Sequence, residues 1–267
     1  MLPKPAHLTT ENAARFQDAS VVERYPFRLP YPNETFDILV GLITDEPRTV
    51  LDVGAGTGDI ARNLVTRVER VDAIDRSDAM MRKGKTLPQG DHPCLHWMSG
   101  EIEQVELHPP YALITAGESL HWMNWEVVLP RFHDAATPHG LLAIVERDEV
   151  PPPWQDSLSQ LINRYSTMRN YQHFDLIEEL EKRHLFQQKG ESKTAPVTST
   201  VSIEHYIASF HSRSSMSLER MPPADATAFD IGVRELVKPW SDEDRIQLQC
   251  IGSVVLGKPL APERDKC

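Results

Sequence analysis

The sequence predicts an α/β chain with a mostly parallel, doubly wound sheet that carries a helical insertion. Three observations lead there. Short apolar runs alternate with helix-like stretches through the first half of the 267 residues, the form taken by repeated strand-helix units. A glycine-rich turn, VLDVGAGTGDIA at 50–61, joins the first apolar run to the first helix-like stretch. Pro151 to Pro153 then end the alternation, because proline continues neither a helix interior nor a central strand.

RTVLDV (48–53), ERVDAID (69–75), CLHWM (94–98), YALITAG (111–117) and GLLAIVE (140–146) read as five strands. Several lack two-residue alternation, as expected of strands covered on both faces. Segments near 58–67, 77–86 and 124–136 read as the helices between them. Beyond the prolines, 154–169, 174–185, 202–211 and 224–237 read as helices, and RIQLQCIGSVVLGKP (245–259) as a strand returning to the sheet. The expected organisation is an N-terminal helical segment over 1–47, a core over 48–150, a helical insertion or cap over 151–243, and a final strand and tail over 244–267.

Composition narrows the classes. Hydrophobic residues make up 40% and charged residues 25%, ordinary for a globular chain, and no apolar run approaches the roughly 18 residues of a membrane span. The first residues, MLPKPAHLTTENAARF, have neither an apolar signal core nor a small-residue cleavage site, so a cytoplasmic protein is expected. A net charge of -11 disfavours a nucleic-acid partner. Cys94, Cys250 and Cys267 are too few and scattered for a disulfide framework, and Asp91, His92, Cys94 and His96 lack paired ligand spacing, so reduced thiols and no metal are expected. A homodimer is left open.

The glycine turn carries the chemistry. Gly54, Gly56 and Gly58 permit unusual backbone dihedrals and close approach to a ligand. A dinucleotide fingerprint would place its third glycine at 59, where Asp59 stands, and Asp52 lies two residues ahead of the turn. These carboxylates would repel a pyrophosphate. They favour a cationic ligand such as S-adenosylmethionine (SAM), which bears a sulfonium and an α-ammonium. Asp75 ends the second strand, 23 positions after Asp52, where such folds place the carboxylate that takes the ribose hydroxyls. The plain alternatives are a solvated aspartate there and, for Met80 and Met81, simple core positions.

Segment 50–81 resembles the first two motifs of class I SAM-dependent methyltransferases of the small-molecule type, the group that includes the ubiquinone-biosynthesis and trans-aconitate enzymes. The resemblance covers most of 20–150 and implies a Rossmann-like class I methyltransferase fold. It implies that Glu101 and Ile102, in SGEIEQV, take the adenine amino group and ring edge, although the family more often has Asp where Glu101 stands. Met80 would pack on the adenine, and Ala55, Arg76, Gly117 and Glu118 flank the same site. RYPFRLPYPNETFDIL (24–39) resembles the family's N-terminal lid, making Tyr25, Arg28 and Tyr31 candidates for the methionine portion, with packing on the sheet as the alternative.

On the acceptor side, AGESLHWMNW (116–125) follows the fourth strand at the carboxyl edge of the sheet. His121 is a candidate general base, since imidazole titrates near neutral pH, or it shapes the pocket beside Trp122. Glu146, ending the fifth strand, is a second candidate to bind or deprotonate the acceptor. Tyr206, His211 and Arg213 in EHYIASFHSRSS (204–215) are candidates to line an acceptor site, against the alternative of a solvated helix. HPPY (108–111) precedes the fourth strand instead of following it, so it is a turn and not an amino-methylation signature. The sequence thus predicts methyl transfer from SAM to a small metabolite. The weighed rivals are a SAM-binding protein without methylation, an NAD-dependent reductase and a nucleic-acid methyltransferase.

Overall fold

The computed structural model describes residues 4–169 and 174–261; Cys267 lies outside them. In chain order the elements are α1 (Thr10–Ala14), α2 (Ala19–Arg24), α3 (Asn33–Gly41), β1 (Thr49–Val53), α4 (Ala61–Leu64), β2 (Arg70–Asp75), α5 (Asp78–Lys85), β3 (Leu95–Ser99) and β4 (Tyr111–Gly117). They continue with α6 (Trp125–Ala135), β5 (Ala136–Glu149), α7 (Gln155–Tyr165), α8 (Leu176–Lys182), β6 (Phe186–Lys193), β7 (Val197–Ser202), α9 (Ile203–Phe210), α10 (Pro223–Val237) and β8 (Arg245–Pro259).

The chain forms two compact units. A sheet unit draws on Pro32–Glu146, His173–Thr194 and Gly252–Cys267, and a helical unit on Met1–Tyr31, Arg147–Gln172 and Ala195–Ile251.

The strand order is β3-β2-β1-β4-β5-β8-β6; the pairs β3-β2, β2-β1, β1-β4 and β4-β5 are parallel, and β6 is antiparallel to β8. From β1 the chain builds outward to β2 and β3 on one side, then returns to lay β4 and β5 on the other. That reversal between β1 and β4 is the switch point at which open α/β sheets receive ligands, beyond the carboxyl ends of the strands. Both strands are buried along their length up to Gly117, which explains their unbroken apolar sequence. Leu51, Leu113, Ile114, Trp125 and Phe132 are fully buried in this unit.

The helical unit has its own core. Trp154 on the approach to α7, Tyr206 and Phe210 of α9 and Phe229 of α10 interlock edge to face, with ring centroids 4.8 Å apart for Tyr206 and Phe210 and 5.5 Å for Phe210 and Phe229. Such pairs add about 0.5–1.5 kcal/mol each beyond the area they bury. β7 pairs antiparallel with Arg245–Cys250 in this unit.

The five expected core strands and the returning strand are present. Two further strands, β6 and β7, occupy 186–202, where no strand was expected; FQQKGESK and VTSTVS show most of their side chains to solvent, so polarity disguises them as loop. α4 is shorter than the 58–67 expected, because the chain from Gly56 to Ile60 is still turning. The boundaries also differ. α3, with Phe36 and Leu39 buried, belongs to the sheet unit, as do α8 and β6, so the expected 1–47 and 151–243 segments are each shared between the units.

Candidate cofactor and acceptor site

The glycine turn at the end of β1 adopts the backbone its composition suggested. Gly54, Gly56 and Gly58 all lie in the left-handed region, at φ of 63°, 58° and 79°. At Gly54 a β-carbon would come within 2.5 Å of Ser119 Cβ. Ala55 N–H donates to Ile74 O at 2.9 Å, tying the turn to the end of β2.

Asp75, the last residue of β2, receives the turn. Its Oδ2 accepts from Gly56 N–H and its Oδ1 from Ser77 N–H, both at 2.7 Å. Burial raises its carboxyl above the ordinary range, while those two N–H groups and the Arg76 charge oppose the rise. A carboxylate has about four acceptor positions, so one on each oxygen remains for a vicinal diol. Gly100 N–H donates to Asp75 O at 3.0 Å, which brings the exit of β3 alongside. There Glu101 is exposed and lies 3.7 Å from Arg76, and Ile102 is buried. Met80 is buried one turn into α5, whose start is capped by Ser77 Oγ accepting from Met80 N–H.

Asp52 is built into the fold itself. Its Oδ2 accepts from Ala61 N–H at 3.1 Å, capping α4, and its Oδ1 accepts from Thr115 Oγ1 at 2.8 Å on β4. Burial pushes its carboxyl up to about 7 against those two bonds, and the negative charges of Asp59 and Asp75 push the same way. The negative potential gathered at this turn suits a cation and opposes a pyrophosphate.

The β4 exit supplies the remaining edge. Glu118 sits at φ 51°, a left-handed conformation uncommon for a residue other than glycine. It is held by Glu118 N–H donating to Val145 O at 3.0 Å and, one residue on, by Ser119 Oγ donating to Val53 O at 2.7 Å. A short turn, Leu120–Trp122, follows, with the His121 and Trp122 rings half-buried and 4.9 Å apart. Glu146 follows Val145, which pairs with Gly117, and is exposed. The ends of β1, β2 and β4 and the exit of β3 thus bring together Asp52, Gly54, Ala55, Gly56, Asp75, Arg76, Met80, Glu101, Ile102, Gly117 and Glu118.

The other candidates lie in the helical unit. Arg28 stacks over the Tyr25 ring at 4.3 Å and donates to Ser212 Oγ and Ser212 O, each at 3.0 Å. Tyr31 is buried beneath the Arg147 guanidinium at 4.5 Å. Tyr206 is buried, and its hydroxyl accepts from Trp154 Nε1 at 3.3 Å. His211 is buried with one ring nitrogen 2.8 Å from Met216 O and the other 2.8 Å from Asp230, so both ring nitrogens hold this unit together. Arg213 reaches Glu149 at 3.3 Å.

Thr115 and Ser119 escaped the sequence reading. The signal for Thr115 was a polar residue in an apolar strand whose register partner, Asp52, is also polar. Among the described residues, no cluster of His, Cys, Asp or Glu is arranged to hold a metal, Cys94 and Cys250 form no disulfide, and no helix is long and apolar enough to cross a membrane.

A parallel sheet whose strand order reverses between β1 and β4, with an acidic glycine turn after β1 and an aspartate ending β2, fits the class I, Rossmann-like methyltransferase fold. Residues 50–140 match the methyltransferase domain family. Among curated relatives, a malonyl-[acyl-carrier protein] O-methyltransferase of Anoxybacillus flavithermus is 31% identical over 88 residues, covering 32% of this chain and 33% of that protein. A trans-aconitate 2-methyltransferase of Azoarcus sp. is 30% identical over 138 residues, covering 46% of this chain and 53% of that one. The matches therefore span from about a third to about half the length of these relatives. A solved structure from Anaeromyxobacter dehalogenans, described as a type II methyltransferase, superposes with a TM-score of 0.63 at 19% identity, covering 88% of this chain and 99% of that one, which shows the shared fold.

Proposed function

We propose that this protein is a cytoplasmic SAM-dependent methyltransferase that methylates an oxygen, nitrogen or carbon nucleophile of a small metabolite and releases S-adenosylhomocysteine. One observation carries the reading: Asp75 ends β2 with each oxygen holding one backbone N–H, beside three left-handed glycines, and keeps acceptor capacity for a ribose diol. The trans-aconitate relative supports a small-molecule acceptor.

When bound, SAM supplies a methyl group on a good sulfonium leaving group. Asp75 would hold the ribose, Glu101 and Ile102 the adenine, with Met80 against its face. Gly54, Ala55, Gly56, Gly117 and Glu118 would border the amino-acid portion. Since displacement at a methyl carbon gains most from alignment, the main task of these residues is to hold acceptor and donor in line. His121 would take the proton lost by the acceptor, with Glu146 as the second acidic or basic group and Trp122 shaping the cavity.

Isothermal titration tests the class. The protein binds S-adenosylhomocysteine and not NADH, and Asp75→Ala weakens binding by at least about tenfold, as expected for loss of a doubly hydrogen-bonded anchor. NADH binding without S-adenosylhomocysteine binding rejects the proposal.

A further inference from the structure

We propose that Trp97 of β3 and Arg62 of α4 form a brace behind the glycine turn that presets it for the donor, acting as positioning residues that do not touch the ligand. This rests on the donor site proposed above.

The glycine turn presents one side to Asp75; its other side is packed. The six-membered ring of Trp97 lies where a β-carbon on Gly58 would come within 2.6 Å of it, and a β-carbon on Gly84 of α5 would meet the same ring atom at 2.6 Å. A β-carbon on Gly84 would also approach Thr57 O to 2.7 Å, so α5 lies directly on the turn's backbone. Trp97 Nε1 donates to Gly90 O at 2.8 Å, fixing the ring between the two glycines.

Arg62 closes the other end. Its Nε donates to Thr57 O at 2.9 Å, its Nη2 to Asp59 Oδ1 at 3.1 Å and its Nη1 to Pro88 O at 3.0 Å. One guanidinium thus joins the turn, the start of α4 and the loop after α5, a three-way fork that lysine cannot reproduce. Left-handed dihedrals at three positions are readily lost in an unbraced loop, because glycine has the most backbone freedom to regain.

Trp97→Phe removes the outer ring and the Gly90 bond while keeping an aromatic at the site. Tyr111→Phe serves as the comparison, since it removes the buried 2.7 Å bond to Asp72 at the amino end of β4, away from the turn. Both variants lower the melting temperature. Only Trp97→Phe raises the dissociation constant for S-adenosylhomocysteine, by about tenfold, as a misplaced binding loop does. It also speeds hydrogen exchange at the Gly56 to Gly58 amides in the unliganded protein. Arg62→Lys gives a smaller rise in the same direction and serves if Trp97→Phe does not fold. Affinity that follows melting temperature equally in both aromatic variants, or parental affinity and loop exchange in Trp97→Phe and Arg62→Lys, overturns the brace. A parent protein that fails to bind S-adenosylhomocysteine instead overturns the donor reading, and loop exchange then decides the brace alone.

Discussion

Asp52 places an ionisable group where the fold must choose between burying a charge and keeping a proton. Its carboxyl rises to about 7 in the folded chain, against about 3.9 when unfolded, so between those values the folded state holds the extra proton. Stability from this group is therefore greatest near pH 4 and declines as pH climbs toward 7, by at most on the order of 3–4 kcal/mol. Asp52→Asn keeps an acceptor for Ala61 N–H and a partner for Thr115, so urea denaturation at pH 5 and pH 8 shows a flattened pH dependence in the variant. An unchanged slope rejects the account. Asp75 behaves differently, because its raised carboxyl must ionise to accept two hydroxyls. S-adenosylhomocysteine affinity weakens as pH falls through that group's titration, and Asp75→Asn loses the dependence; calorimetry across pH checks it. His121→Ala lowers kcat about 10²-fold if the imidazole carries the acceptor's proton, whereas an effect on the acceptor's KM alone assigns it to shaping the pocket.

At the scale of elements, the glycine turn shows how much was legible and why. Gly54, Gly56 and Gly58 were readable because their dihedral demands leave a mark on composition, and Asp75 because it terminates an apolar strand. Trp97 was not readable, since its partners Gly58 and Gly84 come from different helical stretches and meet only after β3 pairs with β2. The same logic separates glycines that matter from those that do not. Gly54→Ala combines a left-handed backbone with a collision at Ser119 and destabilises by more than about 1 kcal/mol. Gly41 ends α3 with nothing within 4 Å of an added β-carbon, so Gly41→Ala raises the melting temperature, worth about 0.4–1 kcal/mol. Thermal melts of the two variants should move in opposite directions.

Across the whole molecule, the central parallel sheet was legible and its completion was not. β1 and β4 are apolar throughout because both faces are covered, whereas β6 and β7 show polar faces and differ little in sequence from connecting loop. The division into units was hidden for a related reason: each unit is assembled from three separated stretches of chain. A fragment spanning 48–150 should therefore fail to fold cooperatively, since it leaves β5 without β8 and removes α3; circular dichroism of the fragment would show no sigmoidal melt. The strand that covers β5 is also the last of the eight to leave the ribosome. During translation the growing chain thus carries a fully synthesised parallel sheet with one raw margin, and any stall before residue 245 leaves that margin open to a neighbouring polypeptide on the same message.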